Sequence, residues 1–196
     1  MKLFFAKSVS FIFNPLVVTL LAPYVLIYRT THDVPSALHW TLYTFIFIFA
    51  LSVFVLVGVK KKMFTDLDVS KREQRPLLFF MAVLFTAFYI TSLFVLHAPY
   101  ILYILAISVL LGISFACIIN RKIKASMHMA AVTALIFPVS ISFGTYYLLL
   151  LFIIPLVGWS RLYTKRHTLS EVIVGTTVGG ILSLSIYLAV KFFLNK

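Results

Sequence analysis

The chain has 196 residues, of which 62% are hydrophobic and only 11% are charged, whereas charged residues make up about a quarter of an ordinary soluble domain. This composition excludes a soluble domain and indicates an integral membrane protein. The formal net charge of +12 suits either contacts with anionic head groups or the bias of basic residues towards the cytoplasmic side, while the single cysteine excludes an intramolecular disulfide and a paired-cysteine metal site.

Apolar runs follow one another along the chain, each bounded by charge, proline or glycine. Pro15 and Pro23 interrupt the first run, whose basic start also resembles that of a signal peptide, although the run is long for one. Two later runs are short, with Gly144 between them. We predict an all-α polytopic transmembrane bundle of six to seven helices, seven being preferred, from runs at residues 9–28, 40–59, 77–96, 99–119, 129–143, 145–158 and 172–194.

With seven helices, three polar segments fall on one face of the membrane: residues 71–76, 124–128 and 160–171. Glu171 is the only carboxylate after Glu73, and it follows His167 by four residues, so the two can meet on one helix face. Arginines can bind phosphate oxygens, one histidine can attack phosphorus and another can protonate the leaving oxygen. These segments favour phosphoryl transfer, and we predict no metal and no cofactor.

The same face carries most of the 17 lysines and arginines. The positive-inside rule would make it cytoplasmic, although a phosphate site would be basic for its own reasons. We predict a site that faces the cytoplasm, in a bacterial inner membrane.

The third segment, with Ser160, Arg161, His167 and Glu171, resembles the S-R-x5-H-x3-D motif of the type 2 phosphatidic acid phosphatase (PAP2) superfamily, with glutamate in place of aspartate. The second segment resembles P-S-G-H, and the first resembles the end of K-x6-R-P. The resemblance covers about residues 60–180. It implies a PAP2-like catalytic bundle at residues 60–196 and N-terminal transmembrane helices outside the resemblance at residues 1–59, within one membrane domain.

The resemblance also implies roles for individual residues. His167 would be the nucleophile that forms a phosphohistidine, Glu171 would orient its imidazole, and His128 would be the general acid. Phosphate oxygens would be held by Arg75, Arg161, Ser126 and Ser160.

Besides Glu171, three positions depart from the family pattern. Asp68 stands where the family has its first lysine, so Lys71 or Arg72 would supply the missing cation. Ala125 and Met127 replace the proline and glycine of the second motif. A side chain at Met127 would crowd a backbone that approaches phosphate, and the expected result is a narrower pocket, a restricted set of substrates or a lower activity.

The predicted function is an integral membrane lipid phosphatase that acts on phosphatidic acid, phosphatidylglycerophosphate or a polyprenyl pyrophosphate. The alternatives are a lipid phosphotransferase and a catalytically weakened phospholipid-binding or transport protein. The predicted partners are the lipid phosphate substrate and membrane lipids, with no nucleic acid; the sequence leaves the oligomeric state open.

Simpler structural roles remain for several of these residues. His167 and Glu171 could be a polar pair that offsets the N–H groups at a helix start, and Arg75 could be a topology charge. Gly175, Gly179 and Gly180 predict close helix packing.

Overall fold

The computed structural model describes residues 1–142 and 144–194. Within these residues the chain forms α-helices, two 3₁₀ helices and connecting loops, without strands, which confirms the all-α prediction. The α-helices are α1 (Lys2–Ile12), α2 (Pro15–Thr31), α3 (Val34–Lys60), α4 (Arg75–Val95), α5 (Tyr100–Asn120), α6 (Met127–Ser142), α7 (Ile153–Tyr163) and α8 (Leu169–Leu194), and the 3₁₀ helices are Arg72–Gln74 and Thr145–Phe152.

Five helical segments of the described chain are long and apolar enough to cross a membrane: Val34–Lys60, Arg72–Val95, Tyr100–Asn120, Thr145–Tyr163 and Leu169–Leu188. Helices α1 and α2 together make a sixth candidate span. The prediction of a polytopic bundle is confirmed, with a span count that agrees with six rather than the preferred seven. Helix α6 is too short to qualify, and Phe143, at the end of the predicted run 129–143, lies outside the described residues.

The first predicted helix, residues 9–28, is two helices, and the first of them begins at Lys2. The interruption falls at Phe13 and Asn14, where the Asn14 Oδ1 atom accepts a hydrogen bond of 3.0 Å from the backbone N–H of Leu16. Pro15 begins α2, a position where its missing N–H costs no hydrogen bond. Pro23 lies inside α2 and does not end it.

The break between the two short predicted runs is where the sequence places it. Gly144 has a φ of 110°, a left-handed conformation that glycine adopts without steric cost. Helix α6 and the following 3₁₀ helix are therefore separate elements.

The chain divides into two compact units. One, here called the C-terminal unit, contains Met1–Thr19 and Lys122–Lys196, and the other, the central unit, contains Leu20–Arg121. The boundary at residue 60, which the resemblance implies, stays a prediction.

Helices α6 and α8 of the C-terminal unit pack closely because two positions of α8 lack a side chain. A Cβ atom at Gly175 would collide with the carbonyl oxygen of Ser126, and one at Gly179 would lie 2.5 Å from that of Ala130. A Cβ atom at Gly180 would meet no neighbouring atom within 4 Å. Close packing is thus confirmed for two of the three glycines.

Helix α1 is part of the core of the C-terminal unit. Its buried Val9 packs in one cluster with residues of α2, α6, α7 and α8, which are Val18, Met129, Val132, Val157 and Val172. Burial of apolar side chains therefore fixes α1 beside the helices that carry the second and third motifs.

The central unit has local anchors of its own. The Asp33 carboxylate caps α3 by accepting a 3.2 Å hydrogen bond from the N–H of Ser36, and the hydroxyls of Thr44 and Tyr89 are hydrogen-bonded at 2.7 Å. Helix α4 begins with Arg75 and has a proline in its first turn.

Candidate active site

The spacing between Arg161 and His167 follows from how α7 ends. Lys165 has a φ of 53°; its N–H donates to the carbonyl of Leu162 at 3.0 Å, and that of Arg166 donates to the carbonyl of Arg161 at 3.2 Å. This pair of bonds is a Schellman motif, which reverses the chain at a helix C-terminus. The N–H of His167 also donates to the Arg161 carbonyl, at 3.3 Å, so the reversal brings the histidine back to the arginine.

The start of α8 fixes Glu171. The Thr168 hydroxyl accepts a 3.4 Å hydrogen bond from the N–H of Glu171, and the Glu171 Oε2 atom accepts one of 3.2 Å from the N–H of Thr168. This reciprocal arrangement is a capping box. The capping box by itself holds the Glu171 carboxylate in place, independently of its contact with His167.

His167 and Glu171 form the pair that the sequence predicts. The Nδ1 atom of His167 lies 2.8 Å from Glu171 Oε2. Because a carboxylate only accepts, the proton lies on Nδ1 and the lone pair on Nε2. The ring is buried, and this burial lowers the pKa of His167 to about 4, with the nearby cations Arg161 and Lys124 acting in the same direction and Glu171 opposing them. The imidazole is therefore neutral at pH 7.

Lys124 is a neighbour of this pair that the sequence analysis did not single out. Its Nζ atom donates a 3.1 Å hydrogen bond to the carbonyl of Arg166 and lies 4.0 Å from Glu171 Oε2. The sequence feature that could have identified Lys124 as a site residue is its position directly before the second motif.

Ser126 lies where α6 begins, against the start of α8. Its backbone N–H donates to the carbonyl of Glu171 at 3.0 Å. Its side chain is fully buried, and its Oγ atom has no hydrogen-bond partner among the described residues. The buried hydroxyls of Thr133, Ser140 and Ser183 are unpaired among these residues as well, but the Ser126 oxygen alone among these four lies next to the first N–H groups of a helix, which attract anions.

Arg161 and His128 meet the first helix. An Nη1–H group of Arg161 donates to the Ser10 hydroxyl at 3.2 Å, and the Nε2 atom of His128 lies 3.2 Å from the Ser10 carbonyl oxygen. Both side chains are buried. Sequence reasoning missed Ser10, because residues 1–59 carry none of the motifs.

Ser160 is also buried against α1. Its hydroxyl donates a 2.7 Å hydrogen bond to the carbonyl of Ala6 and lies 2.7 Å from the hydroxyl of Ser10. All predicted site residues of the second and third motifs except Glu171 are therefore buried in the C-terminal unit. These five residues are Ser126, His128, Ser160, Arg161 and His167. Glu171 is only partly exposed.

The predicted residues of the first motif lie in the central unit, and their environments differ. Arg75 is buried, and its Nε–H donates to the carbonyl of Val69 at 3.2 Å. Val69 itself has a φ of 45°, a conformation that is strained for a β-branched residue. Lys71 and Arg72 are exposed.

Arg72 lines an open cavity of about 400 Å³ in the central unit. Asn120 and Arg121 also line it, and the Asn120 side chain donates to the Arg72 carbonyl at 3.2 Å. Two arginines and the acidic Glu73 thus border the same cavity.

No group of three or more His, Cys, Asp or Glu side chains that could hold a metal ion is found in residues 1–142 and 144–194. Lys124 Nζ lies 4.0 Å from the Glu171 Oε2 atom that also bonds to His167, and a cation beside the carboxylate is unlike a metal-ligand set.

The C-terminal unit thus brings together a neutral histidine with a free lone pair, a carboxylate that orients it, a second histidine, an arginine and an unpaired buried hydroxyl. This combination can bind an anion and transfer a phosphoryl group to nitrogen. The anion is best accommodated where Arg161 and Ser126 supply donors.

Comparison with known families agrees with this geometry. A model of the PAP2 superfamily matches residues 124–194, a stretch that contains the second and third motifs and leaves Arg75 outside. No curated protein and no solved structure matches the chain. The resemblance to the PAP2 superfamily is therefore confirmed, with a match that covers residues 124–194.

Proposed function

We propose that this integral membrane protein is a lipid phosphatase that works through a covalent phosphohistidine on His167. The observation that carries the proposal is the 2.8 Å hydrogen bond between His167 and Glu171, inside the unit that also holds His128 and Arg161. The PAP2 match supports phosphatase-type activity in general.

In the first step the Nε2 lone pair of His167 attacks phosphorus, and the bond from phosphorus to the lipid oxygen breaks. His128 gives that oxygen a proton, so the lipid leaves as an alcohol or, from a pyrophosphate, as a monophosphate. The Glu171 carboxylate stabilises the positive charge that develops on the His167 ring, as the acid does in hydrolase triads.

In the second step water attacks the phosphohistidine, and the P–N bond breaks. The water gives a proton to His128, which restores the acid form for the next cycle. His167 regains its lone pair, and inorganic phosphate leaves. One histidine can serve both steps because the acid of the first step is the base of the second.

The phosphate oxygens are proposed to bind Arg161 and the Ser126 hydroxyl, with the N–H of Met127 as a further donor. Ser160 acts beside Arg161. Arg75, Lys71 and Arg72 enter the proposal on the resemblance alone. The buried, unpaired Ser126 Oγ is the feature that best supports an anion here, because leaving it unsatisfied costs about 1–3 kcal/mol.

The proposed substrate is a lipid, because the helices expose apolar side chains such as Leu169 and Ile173 next to the motif. The candidates are phosphatidic acid, phosphatidylglycerophosphate and a polyprenyl pyrophosphate. We propose a site on the cytoplasmic face of a bacterial inner membrane, which favours a lipid made on that side, such as phosphatidylglycerophosphate.

The test is release of inorganic phosphate by the purified protein from those three lipids. His167→Ala is expected to abolish release, whereas His39→Ala, which changes an exposed histidine of the central unit, should leave it unchanged. Orthovanadate should inhibit, since it mimics phosphate on a histidine.

Undiminished release by His167→Ala would exclude it as the nucleophile. Transfer of phosphate to added alcohols in place of water would identify a phosphotransferase. Binding of a phosphate lipid by the wild-type protein without turnover would favour the weakened binding protein.

Orientation needs a separate measurement. A cysteine placed at the exposed Lys122 in a Cys117→Ser background should react with an impermeant maleimide only in inverted vesicles. Reaction in right-side-out vesicles would contradict the cytoplasmic site.

A further inference from the structure

Ser10 of α1 contacts two of the proposed active-site side chains at once. Its hydroxyl receives the Nη1–H of Arg161 at 3.2 Å, and its carbonyl oxygen lies 3.2 Å from His128 Nε2. It also lies 2.7 Å, hydroxyl to hydroxyl, from Ser160. Helix α1 is held there by the burial of Val9, so these contacts do not depend on a surface loop.

The direction of each hydrogen bond follows from the groups involved. The single proton of the Ser160 hydroxyl goes to the carbonyl of Ala6. Ser10 must then be the donor in its bond to Ser160, and a lone pair of its oxygen accepts from Arg161, because guanidinium groups only donate. The Ser10 hydroxyl is thus ordered by two partners and aims a lone pair at Arg161.

The same reasoning sets the proton on His128. A backbone carbonyl only accepts, so the Nε2 atom of His128 carries a proton. The Ser10 carbonyl therefore fixes both the orientation of the His128 ring and its protonation at Nε2. His128 is held at Nε2 by a carbonyl as His167 is held at Nδ1 by Glu171.

We propose that Ser10 is a positioning residue of the phosphatase site, whose hydroxyl orients Arg161 towards the phosphate and whose carbonyl fixes the orientation and the Nε2–H tautomer of His128. The inference rests on the proposed function. It adds the N-terminal helix, which lies outside every motif, to the machinery of the site.

The hydroxyl is tested by Ser10→Ala in the full-length protein. Loss of the hydrogen bond that orients Arg161 should raise KM for the lipid phosphate and the inhibition constant of inorganic phosphate roughly tenfold or more. The value of kcat should change little, because Arg161 contacts phosphate in both the ground state and the transition state.

Ser10→Thr keeps the hydroxyl and should restore both constants, and Ser10→Cys, with a weak acceptor, should be intermediate. Ser8→Ala is the matched control, since Ser8 lies in the same helix and makes no side-chain hydrogen bond among the described residues. Thermal unfolding midpoints verify that the variants fold. Should Ser10→Ala not fold, KM and the phosphate inhibition constant of Ser10→Thr and Ser10→Cys are compared instead, and equal values in these two variants would overturn the proposal.

An unchanged KM and phosphate inhibition constant in Ser10→Ala would overturn the proposal. So would tighter phosphate binding, which would make Ser10 a competitor of the substrate, or a Ser10→Thr variant as weak as Ser10→Ala. Absence of phosphate release by the wild-type protein would instead overturn the proposed function, and the two failures are thereby distinguished.

The carbonyl is tested by ¹⁵N NMR of histidine-labelled protein, with the His128 signal identified from a His128→Gln variant. The neutral ring should be protonated at Nε2. Protonation at Nδ1 would overturn this half of the proposal.

Discussion

Two basic segments, residues 160–171 of the C-terminal unit and residues 71–76 of the central unit, invite comparison because both precede an apolar helix. In the first, His167 and Arg161 are buried, with His167 bonded to the Glu171 carboxylate and Arg161 to the Ser10 hydroxyl. In the second, Arg75 alone is buried, while Lys71 and Arg72 are exposed. Basic residues at a helix start are common, and burial with fixed partners separates a candidate site from a solvated helix end.

The comparison also explains why one motif is informative and the other is not. Between Arg161 and Glu171 the spacing depends on two capping motifs, a Schellman turn through Lys165 and a capping box with Thr168. Few sequences satisfy both. An arginine followed by a proline needs only the first turn of a helix, which many sequences provide.

The largest effect should come from removing the charge of Glu171. Glu171→Gln keeps a side chain that can complete a capping box, but it no longer stabilises a positive His167 ring. We expect kcat to fall by about 10³–10⁴, as it does when the acid of a hydrolase triad becomes an amide, without loss of fold.

Steady-state kinetics and thermal unfolding check this prediction. Glu73→Gln is the matched control because the Glu73 side chain is 77% exposed, and its kcat should equal that of the wild type. A Glu171→Gln rate within tenfold of the wild type would reduce the pair to its structural role in capping α8.

A smaller effect should distinguish the cations of the central unit. Arg75→Lys keeps the charge but loses the Nε–H bond to Val69, and we expect kcat/KM to fall roughly tenfold or more. Lys71→Ala and Arg72→Ala should raise KM by no more than about fivefold each, because exposed ion pairs contribute about 0.2–1 kcal/mol.

Lys60→Ala, which removes an exposed lysine outside the motif, is the control for net charge. A loss in Lys71→Ala or Arg72→Ala larger than that in Arg75→Lys would show that an exposed cation, rather than the buried arginine, dominates phosphate binding.

The third prediction concerns the protonation of the buried histidine. Burial lowers the pKa of His167 to about 4, so its ring should stay neutral down to about pH 5 and gain a proton only below that. NMR titration, with the signal identified from a His167→Gln variant, should give a midpoint near 4. Lys124→Met should raise it, because a cation that disfavours the charged ring is removed.

A midpoint at the ordinary value of 6.5 would mean that the ring is solvated. The contrast between a buried site in the C-terminal unit and an exposed segment in the central unit would then lose its main support.

The smallest change tests the packing beneath the site. Gly175→Ala forces a Cβ against the Ser126 carbonyl and should lower the free energy of unfolding by roughly 1–3 kcal/mol. Gly180→Ala meets no atom within 4 Å and should be neutral or slightly stabilising, because alanine favours helices. Thermal unfolding in detergent measures both, and equal losses would contradict the close α6–α8 contact.

The structural and catalytic interpretations of His167 and Glu171 both describe real contacts. Glu171 caps α8 through Thr168 and binds His167 with the same oxygen atom. A capping residue is thus in the position that a catalytic acid requires, and only Glu171→Gln separates the two roles, because glutamine can cap but carries no charge.

The sequence predicts the local parts of this protein well. Apolar runs locate the spans, Gly144 locates a break, and the third motif places His167 beside Glu171, because each depends on neighbours within about one helical turn. Pro15 also locates an interruption of the first predicted run, which divides next to it at Asn14, whereas Pro23, which was expected to interrupt the same run, lies inside α2.

By itself, then, the sequence determines the membrane class, the helices and the His167–Glu171 pair, because these follow from composition and short-range spacing. Only the tertiary structure decides that Ser10 lies against Arg161 and His128, about 150 and 120 positions away in the chain. Contacts between distant segments depend on how apolar faces such as that of Val9 are buried together, and no local pattern specifies which faces will meet.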